Sequence, residues 1–296
     1  MSHFDLEITT HGKWILAGEH AVLRGSPAII FPVTTRSLTL KYYASNEQVR
    51  AEFSGDFGDE LQLLFWSALE RAIENLGISH ADILGRFHLE NNIPVGTGMG
   101  ASAALCVAIG RWFVWKNLII QQELYEFARQ LENLFHNESS GVDIAVALYG
   151  KGICFQRNGE IIPVNQQWQP HWYLSYSDKV ATTASCVKKV KALWAQDAIL
   201  GQRIDDDMRE SVAIALHALQ SNSEAGCFEL AAAMRLASSC FERWGLTKGN
   251  VDAHIKQLRD AGAMAAKPTG SGGGGYVLSL WLNKPPENIG IELIAV

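Results

Sequence analysis

Three segments far apart in the chain carry residue types suited to holding phosphate and the metal that travels with it. Gly12 and Lys13 lead to Gly18, Glu19 and His20; the segment Pro94 to Ala104 places glycine at 96, 98 and 100; and Lys267 to Gly275 is glycine at 270 and from 272 to 275. Glycine lets a backbone come close to a ligand and take up positive φ, and successive N–H groups in such a loop form an anion nest. Where a helix follows, as the apolar stretch from Ala101 predicts, its positive end adds to the attraction. Ser102, in the first turn of that helix, can turn its hydroxyl toward Mg²⁺. Phosphoryl transfer asks a protein mainly to position and neutralise phosphate, so the ordered set is the equipment of a small-molecule kinase.

Each segment also has a plainer reading. A glycine loop can simply cap a core helix. The third segment fits G-x-G-x-x-G, but the residues from Tyr276 read as a strand rather than the helix a dinucleotide fingerprint opens, and too little chain follows for a protein kinase domain. Lys13 and Asp143 are the expected chemical pair. Asp143 interrupts a small, apolar run from Ser139 to Gly150, and a buried carboxylate there needs a partner such as a lysine ammonium. The pair can orient an alcohol, accept its proton and steady the transferring group; a structural ion pair or a helix-capping Asp is the alternative. Glu132, eleven residues upstream, can complete an oxygen shell for Mg²⁺ with Ser102, or lie on a solvated helix face. His20 is either a substrate contact or a hydrogen-bonded structural histidine.

The elements that must hold these residues read as mixed helix and strand, an α+β architecture in two parts, 1–160 and 161–296. Strands are expected at 5–10, 27–33, 37–44 and 86–90, then at 151–156, 171–177, 276–282 and 289–296. Helices are expected at 59–77, 101–115 and 121–136, then at 184–196, 206–221, 224–242 and 250–261. The composition, 48% hydrophobic and 19% charged, suits a packed globule. A net charge of −6 argues against nucleic acid as a partner. Five scattered cysteines without zinc spacing predict free thiols in a reducing compartment. Residues 91–110 are uncharged, but Pro94 and the three glycines argue against a membrane span, and the first residues show no leader pattern. The expected location is cytoplasmic.

Taken together, the three motifs resemble those of the galactokinase, homoserine kinase, mevalonate kinase and phosphomevalonate kinase superfamily. That resemblance spans residues 12–276. It implies an N-terminal ribosomal-protein-S5-like part, a ferredoxin-like C-terminal part and an ATP–Mg²⁺ site in the cleft between them. The run from Gly12-Lys13 through Gly18-Glu19-His20-Ala21-Val22 is most similar to the mevalonate kinases. Galactokinases carry Asp where Val22 stands. The similarity implies that Lys13 and Asp143 are catalytic and that Ser102 and Glu132 bind Mg²⁺. It also implies that Glu19, His20 and Thr183 lie at the substrate, mevalonate. Pro94, Gly96, Gly98, Gly100, Ala101, Ser102, Gly272 and Gly273 would line the nucleotide, and the assembly would be a homodimer.

The sequence departs from that pattern in three places. His11 replaces the usual Pro before Gly12. Ala101 replaces a serine of the phosphate loop. Ala181 stands where mevalonate kinases carry an arginine associated with the acid substrate, which leaves Lys179 as the nearest cation in sequence and keeps another alcohol, such as a sugar or phosphomevalonate, open as the substrate. A non-catalytic nucleotide sensor is a further alternative, and the presence of Lys13, Ser102, Glu132 and Asp143 together weighs against it.

Overall fold

The computed structural model describes residues 4–135, 140–157, 160–178, 182–221 and 223–296. They form two compact units. One runs to Lys13 and resumes at Pro32–Gly150; the other joins Trp14–Phe31 to Lys151–Val296. Residues 14–31 therefore pack with the later part of the chain.

The first unit begins with β1 (Leu6–Ala17), in which buried Ile8 and Thr10 alternate with exposed Glu7 and Thr9. This is the period-two pattern of a half-covered strand. β1 continues unbroken through Lys13 to Ala17, well beyond the predicted 5–10. β2 (Ala28–Gln48) is likewise one 21-residue strand where two were expected; Pro32 lies within it. β2 pairs antiparallel with β4 (Leu84–Asn91), from Leu38 opposite Asn91 to Tyr43 opposite Arg86. β4 pairs in parallel with β3 (Arg50–Ser54), and β1 pairs with β2. Helix α1 (Gly58–Leu76) turns Leu61, Phe65, Ala68, Leu69 and Ala72 inward, following the spacing that predicts it. α2 (Ala101–Trp115) is buried along most of its length and packs on α3 (Leu124–Glu132) and α4 (Val142–Tyr149). Trp112, Tyr42 and Phe87 meet in tilted and edge-to-face contacts that fix this core.

In the second unit the start of β2 pairs with β5 (Ile153–Phe155), which pairs with β6 (Ile161–Pro163). A second sheet, in the order β10-β7-β9-β8, joins β7 (His171–Tyr176), β8 (Ala265–Pro268), β9 (Tyr276–Trp281) and β10 (Ile294–Ala295), all antiparallel. The last predicted strand shrinks to two residues. Before β8 come α5 (Thr183–Gln196), α6 (Ala198–Gln220), α7 (Ser223–Arg243) and α8 (Asn250–Asp260). α6 packs along α7, and α7 covers β8. Val251, Ile255 and Leu258 of α8 close over Ala266, Val277 and Trp281. Helix and strand mix in both units, as expected. No helix among the described residues is long and apolar enough to cross a membrane.

Candidate active site

In the first unit the site is built around Lys13. Its backbone N–H donates to the carbonyl of Met99 at 2.8 Å, docking the glycine loop against β1. Gly96, Gly98 and Gly100 have φ of 75°, 86° and 84°, the left-handed region open to glycine. At Gly100 a second reason applies: a Cβ there would sit 2.9 Å from Lys13 Cγ. Gly96 and Gly98 are exposed at the tip of the loop, while Pro94 and Met99 are buried at its base. Gly100 is the N-cap of α2 and brings no side chain to the first-turn N–H groups, an arrangement suited to an anion. Ala101 is buried in that first turn and Ser102 half-buried beside it.

Asp143 lies in the first turn of α4, where a negative charge suits the helix dipole. Gly141 (φ 81°) is the N-cap, so Asp143 does not fill the capping role. Asp143 Oδ2 is 3.2 Å from Lys13 Nζ, with the side chains 26% and 7% exposed respectively. The sequence predicts a buried carboxylate seeking a cation. The buried member is instead the ammonium, and the carboxylate keeps a face open to solvent. Glu132 ends α3 and is 2% exposed, which removes the solvated-face alternative. Burial first, and the Glu132 charge second, push the Cys106 thiol well above its usual range. Cys106 is one helical turn beyond Ser102 on α2, so Glu132 lies against the helix that carries Ser102.

The second unit holds the other expected residues. Glu19 is 2% exposed, and its Oε1 takes a 2.5 Å hydrogen bond from Lys267 Nζ, itself fully buried. Lys267 also reaches the Ile15 carbonyl at 3.4 Å. Thr269 brackets the same residue, accepting from the Ile15 N–H at 2.8 Å and donating to its carbonyl at 3.0 Å. His20 Nε2 lies 2.8 Å from the Ser271 carbonyl, so that nitrogen carries the proton. The ring meets Trp244 edge-on at 5.0 Å, and burial pushes its pKa down to about 4. A neutral ring that donates through Nε2 leaves Nδ1 as an acceptor. Gly272 (φ 71°) passes so close to Phe241 that a Cβ would lie 2.7 Å from its ring, and its carbonyl accepts from the Cys186 thiol. The Gly273 N–H donates to the Leu246 carbonyl at 2.6 Å. Thr183 is the exposed first residue of α5, and Thr182 caps that helix. Lys179, Ala181 and Ser139 lie outside the described residues.

Sequence reasoning missed the pairing of Glu19 with Lys267 and the part played by Met99. A lysine opening a glycine-rich motif beside an apolar strand was the available signal for the first. Nothing in the sequence pointed to the second, because a backbone carbonyl leaves no mark on residue type.

Residues 64–151 match the family described as GHMP kinases N terminal domain. Among curated relatives, the mevalonate kinase of Pyrococcus furiosus is 28% identical over 301 residues, covering 93% of this chain and 89% of the relative. Among solved structures, L. major mevalonate kinase in complex with R-mevalonate superposes with a TM-score of 0.77 at 22% identity, covering 95% of this chain and 90% of that one. Streptococcus pneumoniae phosphomevalonate kinase in complex with phosphomevalonate and AMPPNP gives 0.74 at 19% identity, covering 98% and 100%. Residues 64–151 thus resemble a GHMP kinase N-terminal domain, and the chain has the fold of the mevalonate kinases.

Proposed function

We propose that the chain is an ATP-dependent kinase that phosphorylates the primary hydroxyl of mevalonate. The observation that carries this reading is the Lys13–Asp143 pair, 3.2 Å apart beside a glycine loop that opens a helix. The archaeal relatives named mevalonate kinase, matched over most of their length, support the choice of alcohol.

In this reading the β- and γ-phosphates lie on the loop from Pro94 to Ser102. Lys13, held by Met99 and Gly100, steadies both the Asp143 carboxylate and the negative charge of the transferring group. Asp143 orients the hydroxyl and accepts its proton as the new O–P bond forms and the bond from the γ-phosphorus to the β,γ-bridging oxygen of ATP breaks, releasing ADP. Any carboxylate is a far weaker base than an alkoxide, so the proton moves late, as the O–P bond forms. The Ser102 hydroxyl and the Glu132 carboxylate are hard oxygen donors on neighbouring helix surfaces, and they fit Mg²⁺, which takes few protein ligands and keeps phosphate and water. Bound there, Mg²⁺ would neutralise charge on the nucleotide phosphates. His20 offers Nδ1 to a substrate hydroxyl. Glu19, committed to Lys267, serves by shaping the turn that carries His20. A cytoplasmic homodimer belongs to the same reading, and light scattering of the purified chain tests the assembly.

ADP release measured with mevalonate, phosphomevalonate, homoserine and galactose tests the assignment. Turnover is expected with mevalonate, and activity confined to another alcohol would overturn it. The second reading, a kinase for a different alcohol, is favoured by Ala181 in place of the arginine found in mevalonate kinases.

A further inference from the structure

His20 has φ 57° and ψ −45°, and the N–H of Ala21 donates to the carbonyl of Glu19 at 2.6 Å. That is a three-residue γ-turn of the positive-φ kind, a strained conformation that non-glycine residues rarely adopt. Strain of this sort persists only where its surroundings over-determine it. Here the holders can be named. The Glu19 side chain is fixed by buried Lys267 of β8. The His20 ring is fixed by the Ser271 carbonyl. The Gly18 N–H meets Met208 Sδ at 3.2 Å, and Arg24, just after the turn, makes a two-pronged ion pair with Asp205 of α6 at 2.5 and 2.7 Å. Phe241 is shared: the Lys267 ammonium sits 5.3 Å over its ring, and the His20 ring meets it edge-on.

We propose that the buried Lys267–Glu19 pair is a positioning device that holds His20 in its strained turn and in the Nε2–H tautomer, so that Nδ1 is presented as a hydroxyl acceptor. The proposal rests on the reading of His20 as a substrate contact. The physical argument is one of alternatives. An apolar pair of similar volume would fill the same space, and a fully buried ion pair contributes little net stability against such a replacement. What it supplies is a short, directional bond that ties the turn to β8. Lys267 stands two residues before Thr269, whose hydroxyl grips both backbone groups of Ile15, so a single stretch of β8 and its following loop fixes the strand end and the turn together. Lys267 touches no reacting atom in this account.

Lys267→Met, Glu19→Gln and the double variant K267M/E19Q are to be compared with the parent chain by thermal unfolding, by KM for mevalonate and for ATP, and by ¹⁵N imidazole NMR of His20. The double variant leaves no unpaired buried charge and is the variant to rely on if K267M alone fails to fold. The expected result is that the double variant recovers thermal stability relative to K267M while its KM for mevalonate stays raised about tenfold or more, with KM for ATP within about twofold. The His20 Nε2–H signature should broaden or shift to a tautomer mixture in the same variant. Recovery of stability and KM together, with the tautomer unchanged, would show that the pair only fills space and would overturn the proposal. If the parent chain turns over no mevalonate, the substrate reading fails. The positioning claim is then decided by the His20 spectrum alone.

Discussion

Asp143→Asn keeps the shape of the side chain and removes its charge. In the parent structure the carboxylate is 3.2 Å from a lysine that is 7% exposed. With an effective dielectric of about 20, the direct attraction at that separation is roughly 5 kcal/mol, before any contribution from substrate. The amide loses most of that attraction and cannot accept a proton. A positioned general base contributes about 100- to 10,000-fold, equivalent to roughly 3–5 kcal/mol of barrier at 1.36 kcal/mol per decade. The expected outcome is a loss of kcat in that range with ATP binding retained, since the glycine loop and its contact with Lys13 through Met99 are untouched. Single-turnover formation of the phosphorylated product, with nucleotide affinity measured separately by calorimetry, separates the two quantities. Turnover within about threefold of the parent would refute proton acceptance by Asp143 and leave positioning as the whole of its role. Loss of ATP binding in parallel with kcat would refute the division of labour between the pair and the loop.

Other perturbations test other parts of the reasoning. Glu132→Gln, at a 2% exposed position, should raise the Mg²⁺ concentration needed for half-maximal rate and lower turnover with the fold intact; an unchanged magnesium titration removes Glu132 from the metal. Gly100→Ala must place a methyl 2.9 Å from Lys13 Cγ at φ 84° and should cost both stability and kcat, whereas Gly96→Ala, with open space around its Cβ, should show only the backbone cost of about 1–2 kcal/mol in a denaturant titration. Burial holds His20 neutral down to about pH 4, while the unfolded chain takes up the proton near 6.5, so between these values the unfolded state binds more protons. Stability should therefore fall as pH drops from 6.5 toward 4, by up to about 3 kcal/mol from this group. His20→Asn, which keeps an amide donor and tolerates positive φ, should flatten that slope in urea titrations.

Much of the architecture was readable because its signals were periodic. The three-and-four spacing on α1 and the apolar run of α2 mark both helices nearly to their ends. Signals that depend on a partner were silent. Pro32 and the polar residues that follow suggest a break, yet β2 runs through them, with β5 pairing before them at Ala28–Ile30 and β4 pairing after them from Leu38. α4 was hidden because its eight residues, mostly apolar apart from Asp143, follow a glycine and fit a strand as well as a helix. At the candidate site, glycine spacing marked the loop that leads into α2, and lysine and aspartate chemistry anticipated the Lys13–Asp143 ion pair. Which member would be buried followed from the packing of Gly100 on the lysine stem, and a one-dimensional pattern does not carry that. Glu19 showed the opposite gap: the family resemblance implied a substrate contact, and only the fold supplied Lys267.

The thiols give the chain a built-in set of clocks. Cys106 lies fully buried in α2 of the first unit, and Cys186, Cys227 and Cys240 are buried in the second, with Cys154 half-covered. Burial holds Cys227 and Cys154 above the usual thiol range and pushes Cys240 up to about 12, so the reactive thiolate is scarce until the surrounding structure opens. Alkylation followed by peptide mass spectrometry therefore times the opening of each unit in the unmodified protein, with Cys154 labelling first. If Cys106 and Cys240 label at one common rate across a denaturant series, the units open as a single cooperative body. Separate rates would mark them as independent foldons.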